Sequence, residues 1–288
     1  MYKEYIDRIA NIIAINSQRI AQPGLINGYL GIAVFYYYYA RYSKIDQYTV
    51  MADNILDFII DKTMRNMDRS FSNGLYGLGW CLKYLCDNNF IELDERSLED
   101  YHSIALQQYT ALDLLNDNSS PVQLFSKGLY CSKINDVQLI SSSLLGEEFI
   151  TSQNSASLNI DFLTSMKYTL INAKRRGIQP ELCEQLLCFV EEKLKELLSS
   201  GNGSCVERYV LSCFEDAGIS NQNYDSQIGL YLSWQSIVYD DFVKIKESIT
   251  IKELAHHLDS IEMVTPDCLV FGGLSSLGIN LIKKSMEK

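Results

Sequence analysis

The stretch that decides the fold is Asn27-Gly28-Tyr29-Leu30-Gly31-Ile32-Ala33, which leads into a long apolar run. Two more stretches repeat its pattern, namely Asn73-Gly74-Leu75-Tyr76-Gly77-Leu78-Gly79 and Gly272-Gly273-Leu274-Ser275-Ser276-Leu277-Gly278. In all three, a small residue stands at the first, fourth and sixth positions after the leading residue, and mostly apolar residues lie between them. Such residues let a helix begin while its backbone approaches a neighbour closely. The pattern therefore predicts a recurring packing element, not a catalytic motif.

The spacing of the glycines indicates a repeat. Gly74 follows Gly28 by 46 residues, Gly128 follows by another 54, and Gly273 lies 145 residues further on, about three more such steps. Between them, Gly229 opens a fair match and Gly177 a poor one; for both, the alternative is a glycine that only caps a core helix. A period of about 50 residues holds two helices and two turns. We expect an all-α, closed array of five to six helical hairpins, with the first and last glycine-led helices side by side.

Several further segments carry helical signals. Ile6, Ile9, Ile13 and Ile20 are placed to line one face of a first helix, and Ile55, Phe58 and Ile59 to line another within 44–66. The segment 180–200 begins with Pro180, which suits the first position of a helix. The segment 116–160 is the least periodic, and we interpret it as a distorted third hairpin.

Composition excludes several classes of protein. The chain has 288 residues, 47% of them apolar, which suffices for one large core, and we expect a single domain over 1–288. A net charge of −11 argues against nucleic acid and anionic lipid as partners. The charged first turns do not resemble a signal peptide, and no run of about 18 uncharged apolar residues is present to span a membrane. We therefore expect a cytoplasmic protein that has no membrane contact.

The eight cysteines predict buried, reduced thiols, because none forms a Cys-x-x-Cys pair and most lie on helical stretches beside apolar residues. A zinc site is the alternative, and its possible ligands are Cys205, Cys213, Cys268 and either His256 or His257. We expect no metal and no cofactor. A carbohydrate-active enzyme would need two facing carboxylates, for which the candidates are Asp161, Asp225, Asp240, Asp241 and Asp267; solvated helix faces or helix caps are the alternative.

The glycine-led segments, with Trp80 after the second one and Tyr84-Leu85 beyond it, resemble the repeated Gly-Leu-x-x-Gly-x-x-Gly helices of lanthionine synthetase C-like proteins. The resemblance is good at the two ends of the chain and rests on spacing alone in the middle. It implies an α/α toroid, in which an inner ring of helices begins with the glycine motif and an outer ring surrounds it.

The resemblance also raises the question of whether this chain can bind zinc. The cyclases of that family hold zinc with one Cys and, later in the chain, an adjacent Cys-His pair. This sequence has no Cys-His dipeptide, and although Cys81 follows Trp80 much as a ligand would, one cysteine cannot hold the metal. The resemblance therefore implies a divergent relative that binds a peptide or a partner protein in a bacterial peptide-modification pathway without catalysis. The alternatives are a zinc-dependent peptide cyclase with unrecognised ligands and a carbohydrate-active α/α toroid enzyme.

Polar and aromatic residues in or just after the glycine motifs are the predicted ligand-binding residues. If the motifs begin inner helices, these side chains rim one end of a toroid, where tyrosine and tryptophan offer a flat face with a polar edge. The alternative for each is ordinary packing between helices. The predicted set is Asn27, Tyr29, Asn73, Tyr76, Trp80, Tyr231 and Trp234. No catalytic residue is predicted.

Overall fold

The computed structural model describes residues 2–63, 67–107, 129–134, 160–199 and 269–287, together with positions 234, 237, 238 and 258. The chain divides into two compact units, Met1–Asn66 with Gly201–Lys288 and Met67–Ser200. The α-helices are, in chain order, α1 Lys3–Asn16, α2 Tyr29–Ser43, α3 Gln47–Phe58, α4 Leu75–Asp87, α5 Glu95–Gln107, α6 Ile160–Arg175, α7 Pro180–Ser199 and α8 Leu274–Met286. Among the described residues there is no strand, and the predicted all-α fold is confirmed.

The first unit is built around α2. All of its residues from Leu30 to Ala40 are buried, because α1, α3 and α8 pack around it. A helix that is apolar on every side must be enclosed in this way. It ends at Lys44, whose backbone is left-handed (φ 62°) and whose N–H donates to Ala40 O at 2.8 Å.

The last glycine-led helix, α8, lies against the first one. The N–H of Gly272, just before α8, donates to Ile26 O at 2.9 Å. Further along, Gly31 of α2 faces Phe271, and Gly278 of α8 faces the ring of Phe35. The prediction that the first and last glycine-led helices are neighbours is therefore confirmed.

Helices α1 and α3 of the first unit confirm one predicted apolar face and correct another. Ile6, Ile9 and Ile13 of α1 are fully buried, as predicted, and Ile20 is buried beyond the short 3-10 turn Ser17–Arg19. In the predicted helix within 44–66, α3 continues into a π-helical turn, Ile59–Thr63. Ile59 is buried there, but Phe58 is 47% exposed, so its assignment to the buried face was wrong. The register of α3 turns Ala52 and Leu56 inward instead.

The second unit contains α4 to α7. Helix α4 is enclosed much like α2, since Leu75 to Leu82, Tyr84 and Leu85 are buried. Helix α5 is tied to it by the Tyr101 hydroxyl, which donates to Leu75 O at 2.7 Å. Residues 129–134 form a helical segment directly after Gly128, and Tyr130 of that segment lies against Gly79 of α4.

Helices α6 and α7 form a hairpin. The turn between them uses Gly177, whose φ of +71° is left-handed backbone that glycine adopts without strain. Pro180 is the first residue of α7, so the helix predicted at 180–200 is confirmed. Gly177 thus follows the end of α6 and does not open a glycine-led helix, which agrees with the capping alternative. Gly229 and most of 116–160 lie outside the described residues, and the single domain and the number of hairpins stay predictions.

Candidate functional site

The loops that precede the first two glycine-led helices close in the same way. The N–H of Tyr29, the first residue of α2, donates to Gln22 O at 2.9 Å. The N–H of Leu75, the first residue of α4, donates to Asp68 O at 2.7 Å. Both bonds span seven residues, and both satisfy one of the N–H groups that a helix start leaves without an intrahelical partner. The two sequence motifs therefore produce one local structure, once in each unit.

The glycine that begins each motif is required by this loop. A Cβ added to Gly28 would overlap the carbonyl oxygen of Gln22, and a Cβ added to Gly74 would overlap that of Asp68. These obstacles are backbone atoms that hold the loop's own hydrogen bond, so they have little freedom to move. The close approach that the sequence pattern predicted is thus seen within each loop as well as between helices.

In the first unit, Asn27 and Tyr29 stand where the loop meets α2. Asn27 is exposed and Tyr29 is half-buried. Both are accessible to a ligand at the start of the helix. Asn27 therefore has the exposure that the prediction requires, and Tyr29 has part of it.

In the second unit, Asn73 is less exposed than Asn27, and Tyr76 is buried more deeply than Tyr29. Asn73 is half-buried, and its N–H donates to the Ser70 hydroxyl at 3.0 Å. Its side-chain oxygen Oδ1 is buried and, within the described part of the chain, has no hydrogen-bond partner. Tyr76 is fully buried, and its ring lies 5.7 Å from that of Tyr130.

Trp80 belongs to the interior of the second unit. It is 2% exposed, stacks on Tyr84 with ring centroids 4.8 Å apart, and meets Phe71 edge-on at 5.9 Å. The ammonium group of Lys133 lies 5.8 Å from its ring centroid and forms an ion pair with Asp87 at 2.9 Å. These contacts give Trp80 a full packing role. The packing alternative therefore describes Trp80 and Tyr76, and their part in ligand binding stays a prediction.

The remaining predicted residues give less information. Trp234 is 8% exposed, and Tyr231 lies outside the described residues. The candidate zinc ligands Cys205, Cys213, Cys268, His256 and His257 lie outside them too. Of the candidate carboxylates, Asp161 is described only as part of α6, and the other four fall outside. Within the described ranges, no three His, Cys, Asp or Glu side chains come together as metal ligands would.

Cys81, which follows Trp80, is a fully buried thiol. Burial raises its pKa well above the ordinary value, and the neighbouring Cys86 adds to the rise. Such a thiol is a poor nucleophile, because the reactive form of cysteine is the thiolate. In this environment Cys81 behaves as a core residue.

Sequence reasoning missed a histidine–tyrosine pair in the second unit. The Nδ1 atom of His102 on α5 is hydrogen-bonded to the hydroxyl of Tyr130. Burial raises the pKa of Tyr130 above its ordinary value, and Cys131 and Tyr76 add to the rise. The two residues are 28 positions apart and share no motif, so only the packing of α5 against 129–134 brings them together.

The geometry of the two motif loops is matched by a family comparison. Residues 19–118 match the family model described as lanthionine synthetase C-like protein. The match covers 100 of the chain's 288 residues and includes the first two glycine motifs. It supports the resemblance that those motifs predicted, and because proteins of that family are α/α toroids, it agrees with the predicted fold class. Curated proteins and solved structures gave no match.

The structure also bears on contact with a membrane. In the part of the chain that it describes, no helix is both long enough and apolar enough to cross a bilayer.

Proposed function

We propose that this protein is a divergent lanthionine synthetase C-like protein that binds a peptide or a partner protein without turnover, in the cytoplasm, within a bacterial peptide-modification pathway. One observation carries the non-catalytic part of the proposal: the sequence that matches this family in its first third has no Cys-His dipeptide anywhere. The family's cyclases need that pair to complete the zinc site.

The proposed contact surface in the first unit is the start of α2. Asn27 is exposed and offers both an amide donor and an acceptor to a peptide backbone. Tyr29 adds an aromatic face with a polar edge and is half-buried, so its ring is held by the protein while part of it stays available. In the second unit, Asn73 takes the equivalent place, and its buried unpaired Oδ1 is an acceptor that a ligand's N–H would satisfy.

Binding is tested with the peptides and proteins encoded beside this chain's gene, titrated by calorimetry. Tyr29→Ala should weaken binding by about 2 kcal/mol if its ring is an anchor, as aromatic hot spots do. Tyr42→Ala is the matched control, because Tyr42 is also half-buried but lies near the opposite end of α2. Asn73→Ala, measured separately, tests the second unit. Equal affinities for Tyr29→Ala, Asn73→Ala, Tyr42→Ala and the parent chain would rule out the motif loops as the contact surface.

The enzymatic alternative has its own measurement. Zinc content of protein purified without chelator, combined with a cyclisation assay on a dehydrated, cysteine-containing peptide, addresses the cyclase directly. Stoichiometric zinc with turnover would contradict the non-catalytic proposal. Binding without turnover supports the proposal.

A further inference from the structure

In the described part of the second unit, two buried polar residues each have a side-chain atom without a hydrogen-bond partner. They are Ser132, in the helical segment 129–134, and Asn172, in α6; each is 6% exposed. Their side-chain atoms Oγ and Nδ2 are enclosed, and the described residues offer neither of them a hydrogen bond. Leaving such a group unpaired costs about 1–3 kcal/mol. Two such unpaired atoms therefore require an explanation, and one explanation is a ligand that binds to them.

Arg176 joins the two residues. Its Nη2 donates to the carbonyl oxygen of Ser132 at 3.2 Å. Its backbone N–H donates to Asn172 O at 3.2 Å, so Arg176 follows Asn172 by one helical turn on the same face. Arg176 is the first residue after α6, so it adjoins the last turn of that helix, which carries Asn172. Arg176 thus lies beside Ser132 through its guanidinium and beside Asn172 through its backbone.

The chemistry of the three groups selects an anion. The Asn172 Nδ2 atom is a donor only, the Ser132 hydroxyl can donate, and the guanidinium is a permanent cation with five N–H groups. Acceptor oxygens that carry negative charge suit the two unpaired groups and are attracted by the nearby guanidinium, and hydrogen bonds to a charged group are about twice as strong as neutral ones. A planar carboxylate also suits the geometry of an arginine fork. A neutral water molecule would use the donors but gain less from the charge.

We infer that Ser132, Asn172 and Arg176 form a binding site for a carboxylate. The site lies within the second unit and does not rest on the proposed peptide-binding function, because a free organic acid would serve as well as a peptide. The carboxylate has three possible sources: a small free acid, the carboxyl terminus of a peptide, and an acidic side chain.

The first experiment measures thermal stability of the full chain with sodium formate, at constant ionic strength set by sodium chloride. Formate is chosen because both unpaired atoms are enclosed and a small ion enters most easily. Formate should raise the Tm in a saturable way, and chloride should not. A Tm that responds equally to the two salts would overturn the inference, because the unpaired atoms would then be satisfied by buried water.

Variants locate the effect. Asn172→Leu removes the unpaired amide and keeps its approximate size, so the fold should remain, while the apparent affinity for formate falls about tenfold or more, the equivalent of one hydrogen bond to a charged group. Ser132→Ala should also lower the affinity for formate. It replaces Asn172→Leu in the test if Asn172→Leu does not fold. Arg175→Gln is the control for charge, since Arg175 is adjacent but exposed. Equal formate binding by Asn172→Leu, Ser132→Ala and Arg175→Gln would place the anion elsewhere and overturn the site.

Three acetylated peptides then distinguish the sources. Acetyl-Gly-Gly carries a terminal carboxylate, acetyl-Glu amide carries only the side-chain carboxylate, and acetyl-Gly-Gly amide carries neither. Stabilisation by one of the first two, lost in Asn172→Leu, assigns a peptide source. Stabilisation by formate alone assigns a small acid. Stabilisation by the neutral amide equal to that by acetyl-Gly-Gly would contradict carboxylate recognition.

Discussion

Gly31 and Phe271 are in direct contact, although they stand 240 positions apart in the chain. A Cβ added to Gly31 would overlap the Cβ of Phe271 and would lie 2.9 Å from its backbone nitrogen, a distance that real side chains essentially never show. It would also overlap the carbonyl oxygen of Leu25. Because Gly31 has no side chain, the segment that leads into α8 can pack directly against α2.

Gly31→Ala should destabilise the protein by about 1–3 kcal/mol, and Gly31→Val by more, because the atoms in the way belong to backbone and to a Cβ that cannot rotate aside. Gly272→Ala is the matched control: its Cβ would meet its nearest neighbour, the side chain of Ile26, at 3.5 Å, an ordinary contact. Urea unfolding of the three variants checks this. A midpoint for Gly31→Ala as high as that for Gly272→Ala would show that the contact is not tight.

Gly278→Ala should destabilise the protein for a different reason, and a second substitution, Phe35→Leu, should partly reverse the loss. Here the obstacle is the ring of Phe35, with Ile9 3.3 Å away. Phe35→Leu removes the ring atoms that the new methyl group would meet. The double variant should therefore lose less stability than the sum of the losses in the two single variants, because the effects of mutating residues in contact are not additive. Strict additivity in a double-mutant cycle would contradict this account.

The sequence was sufficient for the parts of the fold that depend on local pattern. The motif glycines at 28, 31 and 74 are placed where the backbone comes closest, and α2 and α4 begin directly after Gly28 and Gly74. These features could be predicted because small residues at fixed spacing have few other uses. Gly77, at the fourth position of the second motif, is buried as well.

The sequence was insufficient where burial depends on tertiary contacts. Trp80 follows a glycine motif, which suggested a rim position, yet Tyr84, Phe71 and Lys133 enclose it. The contacts with Phe71 and Lys133 come from chain segments outside α4, and no local pattern encodes them. The Arg176–Ser132 bond joins residues 44 positions apart, so the proposed carboxylate site also lacked any sequence signal.

Trp80→Ala should destabilise the second unit by about 3–5 kcal/mol, the usual cost of removing a large buried aromatic side chain. Trp80→Phe should cost less, because it keeps a ring against Tyr84. Differential scanning calorimetry measures both. A wild-type-like Tm for Trp80→Ala would mean that the ring is not part of the core, and it would restore Trp80 as a ligand contact.

Asp87 should make the second unit sensitive to acid. Partial burial raises the pKa of its carboxyl group, but hydrogen bonds and charge from Lys83 and Lys133 outweigh burial, so the pKa lies below the ordinary value. A lowered folded-state pKa stabilises the protein above the unfolded-state pKa, near 3.8, and this contribution is lost as the pH falls through the lower folded-state value. Asp87→Asn should therefore be less stable at neutral pH and lose less stability in acid. Parallel stability curves for the two proteins would contradict this coupling.

Ionisation of the Tyr36 hydroxyl should make the first unit less stable at alkaline pH. Burial raises the pKa of its hydroxyl to about 12, the Ser17 side chain offsets part of that rise, and Tyr48 adds to it. Because the folded-state pKa is the higher one, the contribution of Tyr36 to stability is complete below the unfolded-state pKa of 10.0 and is lost as the pH rises from there through about 12.

Tyr36→Phe removes the titrating group and keeps the ring, which packs 6.0 Å from Phe35 and 5.6 Å from Tyr48. Stability measured by denaturant titration at stepped pH should therefore fall less steeply above pH 10 in Tyr36→Phe than in the parent chain. Tyr42→Phe is the control, since Tyr42 is half-buried and lies beyond Tyr39 near the end of α2. An equal alkaline slope in Tyr36→Phe, Tyr42→Phe and the parent chain would show that the Tyr36 hydroxyl ionises as readily in the folded protein as in the unfolded one.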